Sequence, residues 1–436
     1  MQETGEAGRG SLGYSYYVVV ALMIAYTLSF MDRVLISLLV EPIRSEFDLS
    51  DTQIGMLIGF GFVLFYSVMG LPFGAMADRS NRRNLIVIGI VGWSLATAGS
   101  GMVQGFGGLL LMRALVGVGE ATLSPAALST IADRFPVSKL AFAISIYSSG
   151  VVIGGGLAMA FGGLLAQWSL GTSLSLPLLG EYSGWRLTFL LVGLAGLPVA
   201  TAIWLSVREA ERRIASPAPP FSAVVRLFSE HRRAFLGAFL GLASVVMANY
   251  VALLWGPAYL SRSHGLSLAE TGLILGIING GLGFAGVLSG GIIADKLSLR
   301  GTIDAPVKVI IYSQIIQLPF LVVAFTTGNL PLAAICIGIA AYFTSMIGGL
   351  QGATVSLLVA PQMRGRAMAI YLLTANMIGM GLGPLLVGIL SDRFDGAIGP
   401  AIAVTAALGI LCGVTTLSRS RPAIRSAITA QMAHAR

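Results

Sequence analysis

Long apolar stretches separated by short polar connections run along nearly the whole chain. Segments such as 18–30 and 187–205 are continuously hydrophobic, without the two-residue alternation of half-buried strands. A helix that crosses a bilayer needs roughly 20 mostly apolar residues, and twelve stretches qualify: 16–40, 52–76, 84–104, 106–130, 139–166, 186–207, 234–260, 269–294, 306–326, 330–358, 366–391 and 399–417. A membrane β-barrel would instead show dyad alternation in segments of about ten residues. The pattern therefore predicts an all-α membrane protein with twelve transmembrane helices.

Composition agrees. The 436 residues are 56% hydrophobic and 11% charged, with a mean hydropathy of +0.85, whereas soluble chains are about one quarter charged. The net charge of +8 would suit a nucleic-acid partner, but its distribution argues against one. With the N-terminus inside, Arg79, Arg82, Arg83, Arg134, Lys139, Arg208, Arg212, Arg213, Arg226, Arg232, Arg233, Lys296, Arg300, Lys308, Arg364 and Arg366 fall on the cytoplasmic side. Arg44, Arg186, Arg262 and Arg393 fall on the other. This is the positive-inside bias, and it predicts cytoplasmic termini and no nucleic-acid binding. The first apolar run follows a tail carrying Glu3, Glu6 and Arg9, so it reads as a retained helix rather than a signal peptide. Cys336 and Cys412 sit in apolar helices without metal-ligand spacing, so no metal and no cofactor are expected.

One polar interruption, residues 208–233 with Pro217, Pro219 and Pro220, divides the chain. Laying residues 49–78 on 266–295 without gaps matches Leu49, Ser50, Gly55, Gly59, Leu71, Gly74, Ala77 and Asp78 with Leu266, Ser267, Gly272, Gly276, Leu288, Gly291, Ala294 and Asp295. The second span thus corresponds to the eighth. The expected organisation is an N-terminal tail 1–15, a six-helix bundle 16–207, the linker 208–233, a second six-helix bundle 234–417 and a C-terminal tail 418–436. Two pseudo-symmetric six-helix bundles in parallel repeat resemble the major facilitator superfamily fold.

Charges at membrane depth cost at least about 2.5–3.5 kcal/mol each and mark function by default. Asp32, Arg33, Arg113 and Glu120 are the ones that fall well inside apolar spans. Asp32 and Arg113 share a depth of about 10–12 Å from the outer ends of their helices at 1.5 Å per residue. Glu120 lies two turns beyond Arg113 on one helix face, so a single arginine could serve both carboxylates. Burial disfavours a charged carboxylate and a nearby guanidinium favours it, which suits a proton switch; a fixed ion-pair network that registers the first span against the fourth uses the same residues. His231, His264 and His434 fall in loops or the tail. The second half contributes neutral groups, with cavity lining expected from Tyr147, Asn249, Tyr250, Trp255, Asn279 and Asn376. The run Trp255-Gly256-Pro257 predicts a break in the seventh span. Glycines 150, 154, 155, 156, 162 and 163 of the fifth span read as close helix packing.

Residues 74–83, Gly-Ala-Met-Ala-Asp-Arg-Ser-Asn-Arg-Arg, resemble the signature that the superfamily carries between its second and third helices. Asn81 replaces the usual second glycine, and asparagine tolerates the left-handed turn expected there. The resemblance implies a cytoplasmic gate of Gly74, Asp78, Arg79, Arg82 and Asp133, with Asp78 clamping the eleventh helix near Arg366. Together with Ser29-Phe30-Met31-Asp32-Arg33, Arg113-Ala-Leu-Val-Gly-Val-Gly-Glu120-Ala121 and Asp133-Arg134-Phe135-Pro136, this segment resembles the Spinster family, in a bacterial version with short tails and loops. What the resemblance implies is transport of an amphiphilic lipid, a sphingosine phosphate or lysophospholipid, with Asp32, Arg113 and Glu120 at the coupling and substrate charges. Asp-Arg in the first helix also occurs in organic-anion transporters. The expectation is a monomeric, proton-coupled secondary transporter of the bacterial inner membrane working by alternating access; the other reading is a carrier of small organic anions or hydrophobic drugs. The chain lacks a phosphate-binding Gly-x4-Gly-Lys-Ser/Thr loop, and no nucleophile with a base marks an enzyme.

Overall fold

The computed structural model describes residues 12–176, 180–209 and 221–434; Arg9 and the proline-rich part of the linker lie outside them. In chain order the elements are α1 Leu12–Leu38, α2 Val40–Phe47, α3 Asp51–Arg79, α4 Arg82–Ser100, α5 Phe106–Arg134, α6 Val137–Leu170, the hairpin β1 Ser173–Leu176 and β2 Gly180–Ser183, α7 Trp185–Ser206, α8 Phe221–Glu230, α9 Arg232–His264, α10 Leu268–Leu299, α11 Ala305–Thr326, α12 Leu330–Leu357, α13 Arg364–Arg393 and α14 Ile398–His434. Eleven of these helices are long and apolar enough to cross a membrane, and α4 accounts for the twelfth predicted stretch. Helices prevail because a backbone in hydrocarbon must satisfy its own hydrogen bonds.

Helix starts are written locally. Ser50 and Gln53 form a reciprocal capping box at α3 (3.0 and 3.2 Å), and Ser267 with Glu270 repeats it at α10 (2.9 and 3.3 Å). Asn81 does not take the expected left-handed turn. Its φ is −67° and its side chain caps α4 by accepting from the Asn84 N–H at 2.9 Å, because an asparagine oxygen can satisfy an orphan helix donor. The predicted break at Trp255-Gly256-Pro257 is also absent: α9 runs on to His264 with Pro257 inside it. Cross-links hold that end, with the Trp255 indole donating to the Pro384 carbonyl (3.0 Å) and the Tyr259 hydroxyl to the Ala324 carbonyl (3.0 Å). Beyond residue 417, where a tail was expected, α14 continues as helix because Ile424, Ala427 and Ile428 are buried and Arg421 pairs with the buried Asp304.

The chain forms two compact units. Unit 1 comprises residues up to 49, 61–214 and 267–276; unit 2 comprises 50–60, 215–266 and 277–436. In unit 1, glycines set the helix spacing. A Cβ added at Gly150 or Gly154 of α6 would come within 2.8 or 2.6 Å of α1 backbone oxygens, and one at Gly117 of α5 within 2.5 Å of the Phe62 carbonyl on α3. The core of unit 2 contains an aromatic run, with Phe228, Phe235, Phe239 and Tyr371 in successive ring contacts at 4.1–5.9 Å. Three helices carry a widened π turn: α3 at Met56–Phe60, α10 at Ile278–Gly283 and α13 at Asn376–Leu382. The last two hold Asn279 and Asn376, and such turns recur at functional sites.

Candidate functional site

The four deep charges converge in unit 1. Asp32 and Arg33 on α1 are 2% and 6% exposed, and Arg113 and Glu120 on α5 are 0% and 1% exposed. Asp32 and Arg113 meet as an ion pair of 3.8 Å, at the shared depth that the helix rise predicts. The single arginine serving both carboxylates is not what the structure shows. Glu120 is held by Arg33, whose Nε lies 2.5 Å from Glu120 Oε2, and the Ser29 hydroxyl donates to the same oxygen at 2.6 Å. Seven residues of helix rise about 10.5 Å, too far for Arg113 to grip Asp32 and Glu120 together. Arg33 stands one residue beyond Asp32 and therefore faces a different part of α5. The α5 helix loosens just after Glu120, between its segments Phe106–Glu120 and Leu123–Arg134.

The two pairs differ in tightness. Arg33 binds Glu120 closely and rests over two rings, 4.4 Å from the Tyr66 centroid and 5.0 Å from that of Phe62. Arg113 lies 5.3 Å from the centroid of the same Phe62 ring, but its Nε and Nη2 have no hydrogen-bond partner. Asp32 takes a hydrogen bond from Thr97 through Oδ2, while Asp32 Oδ1, which faces Arg113 at 3.8 Å, and Glu120 Oε1 accept no hydrogen bond. With all four groups ionised the cluster is neutral. Removing one charge by protonation would leave a buried guanidinium uncompensated, which is costly in a low-dielectric interior. The arrangement can thus convert a proton into a rearrangement of side chains.

Sequence reasoning quoted Ser29 in a motif without giving it a role, and did not name Phe62, Tyr66 or Thr97. Ser29 lies one turn before Arg33, and Phe62 and Tyr66 are spaced i, i+4 and stack at 5.4 Å; these are signals of proximity along one helix, not of the partner across it. Tyr147 is 2% exposed, stacked on Tyr26 at 4.7 Å with its hydroxyl 3.1 Å from Ser124. Trp255 is 0% exposed. Both are core residues here and not cavity lining, because rings that large fill the interhelical space. Asn249, Tyr250, Asn279 and Asn376 are half-buried in unit 2.

At the α3–α4 turn, Arg82 and not Arg79 takes Asp133. The buried Arg82 side chain pairs with Asp133 and also reaches Ser129 at 3.0 Å and Glu209 at 2.9 Å. Glu209, which sequence reasoning did not select, also accepts from the Arg83 N–H at 3.0 Å and so stabilises the start of α4. Asp78 and Arg79 are exposed on the last turn of α3, an added Cβ at Gly74 would meet nothing within 4 Å, and Arg366 opens α13 in unit 2.

The sequence pattern of the Major Facilitator Superfamily matches residues 22–303. A solved bacterial homologue of the human lysosomal transporter Spinster, inward-facing and unoccupied, is 31% identical, with a TM-score of 0.78 over 97% of this chain and 98% of that one. An MFS-type efflux pump of Mycolicibacterium smegmatis is 30% identical over 91% of this chain and 89% of its own length. Protein spinster homolog 1 of Mus musculus is 29% identical over 88% of this chain and 74% of its own. The chain is accordingly a multi-pass membrane transporter of the Major Facilitator Superfamily and a homologue of the Spinster proteins.

Proposed function

We propose that the chain is a proton-coupled secondary transporter for an amphiphilic lipid of the sphingosine-phosphate or lysophospholipid class, working by alternating access. The observation that carries the proposal is the pair of buried ion pairs of unequal tightness. Arg33 and Glu120 form a closed, fully desolvated pair, while Arg113 and Asp32 form a looser one with unpartnered donors on the arginine. Proton uptake at a carboxylate releases its arginine, and a released Arg113 can take an anionic headgroup in place of Asp32. An apolar groove of about 400 Å³ beside this part of α1, lined by Met31, Leu35, Phe161, Leu165, Trp168 and Val192, supports the lipid reading, since a hydrocarbon tail needs such a wall. Asp78, Arg79 and Arg82, with Gly74, Asp133 and Arg366, serve the cytoplasmic gate in this reading. Both termini then face the cytoplasm from the inner membrane, and the monomer is the working unit.

The relation to an efflux pump favours a second reading, in which Arg113 binds a small organic anion or hydrophobic drug. Proteoliposome uptake of a labelled lysophospholipid, with and without an imposed pH gradient, separates the two. Gradient-dependent uptake that Glu120→Gln removes supports the lipid and the proton together. Folded protein that moves no lipid but accepts organic anions moves the assignment to the second reading.

A further inference from the structure

The repeat pairs the first turns of α3 with those of α10, and both segments pack away from the rest of their own helix. Residues 50–60 belong to unit 2 and residues 267–276 to unit 1. The repeated glycines serve this packing. An added Cβ at Gly55 or Gly59 would lie 2.6 Å from the Pro384 or Met380 carbonyl of α13, and one at Gly276 would lie 3.0 Å from Ala160 of α6. Gly272 meets the Met159 carbonyl of α6 more closely still. One small-residue device is thus built twice.

The groups that neighbouring helices bring to the two devices differ in charge. Asp392, at the end of α13, accepts from the backbone N–H groups of Asp51 and Thr52 at 2.9 Å each and from the Thr52 hydroxyl at 2.6 Å. Asp51, with 1% of its side chain exposed, takes both terminal nitrogens of Arg262 at 2.8 and 2.9 Å and the Ser391 hydroxyl at 2.6 Å. At α10 the only carboxylate in the cap is the helix's own Glu270, and the group that reaches it from α6 is neutral, Gln167 accepting from the Leu268 N–H at 3.2 Å. The sequence explains the acidic cap. Gly388-Ile-Leu-Ser-Asp392-Arg393 repeats Gly74-Ala-Met-Ala-Asp78-Arg79 in spacing and ending, and it stands at the opposite end of the helix that the first copy is expected to clamp.

We propose that residues 388–393 are a further copy of the gate signature, acting on the face opposite the α3–α4 turn, where Asp392, Asp51 and Arg262 clasp the first turn of α3. Carboxylate-to-backbone and bidentate arginine bonds are the strong class of hydrogen bond, and a carboxylate at a helix start adds a favourable dipole interaction. Gly388 is required because an added Cβ would overlap the Asp51 carbonyl. In this structure the clasp is formed. Opening that face requires it to break, whatever the substrate and whether or not protons are coupled.

The test is a distance measurement in nanodiscs between spin labels at Ser45→Cys and Ala397→Cys, with Cys336 and Cys412 replaced by Ser. Asp392→Ala should raise the long-distance population about tenfold or more, Asp392→Asn less, since an amide oxygen still accepts. Arg226→Gln, which removes an exposed pair with Glu230 of 3.8 Å, should leave the distribution unchanged. Gly388→Ala provides a second route that keeps every charge, and it should shift the population in the same direction. Unchanged distances in folded Asp392→Ala or folded Gly388→Ala protein would reduce the cluster to ordinary helix capping. Because no substrate enters the measurement, its failure leaves the transport assignment untouched, and failed lipid uptake leaves the clasp untouched.

Discussion

Unit 1 and unit 2 solve the problem of buried polarity in opposite ways. Deep in unit 1 stand four ionisable groups in two pairs, each of which rests on the Phe62–Tyr66 shelf or bonds to Ser29 or Thr97. Deep in unit 2 stand Gln314 and Gln317, each 1% exposed; Gln317 donates to Thr344, and both side-chain polar atoms of Gln314 are unpartnered. An amide at depth polarises its surroundings but does not change charge. A carboxylate against arginine does, and the energy at stake is several-fold greater. The difference teaches that, among the described residues, carboxylates at membrane depth stand in unit 1, whereas the buried carboxylates of unit 2, Asp51 and Asp304, stand at helix ends.

The largest effects should therefore fall on unit 1. Glu120→Gln and Asp32→Asn preserve shape and remove charge, so gradient-driven accumulation should vanish while exchange of substrate down its own gradient persists. Parallel flux and melting assays check this, and equal loss of folded protein in both variants would recast the pairs as structural. Arg33→Leu leaves Glu120 buried with only a serine donor, at a cost of about 3–5 kcal/mol. The double variant Arg33→Leu/Glu120→Gln should recover much of that, which a thermal-denaturation cycle measures.

Smaller losses should come from the α3–α4 turn and the glycine contacts. Arg82→Ala breaks pairs whose carboxylate side chains are 15% and 28% exposed, so solvent offsets part of the loss and about 2 kcal/mol is expected. Gly193→Ala forces a methyl against the Ala98 and Ser94 backbone and should cost about 1–3 kcal/mol by overpacking. The smallest effect belongs to unit 2. Gln314→Met exchanges an unpartnered amide for an apolar chain of similar length and should leave melting unchanged or raise it by up to about 1 kcal/mol. A drop as large as that of Arg33→Leu would erase the contrast between the units.

Much of this was readable from the chain. Each of the twelve apolar runs falls on a helix, eleven of which are long and apolar enough to span, and the quartet Asp32, Arg33, Arg113 and Glu120 was found by depth alone. The partner of Glu120 was not, nor was the role of Glu209, because partners come from other helices at positions no local pattern records. Asp51 and Asp304 were passed over as helix-end residues, yet both are fully buried. A helix terminus is polar by composition whether or not a neighbour covers it.

The sequence by itself determined the solvent, the positions of the apolar helices, the repeat and the residues that carry charge into the membrane. Each of these depends on sums over a local stretch, which tolerate an error of a residue or two. Only the tertiary structure decided which guanidinium meets which carboxylate. Side chains turn by about 100° per residue around a helix, so Asp32 and Arg33 point to different neighbours although they are adjacent in the chain. The rotation of each helix is set by close contacts such as Gly117 against Phe62 and Gly154 against Thr27, and those contacts exist only once the helices have packed.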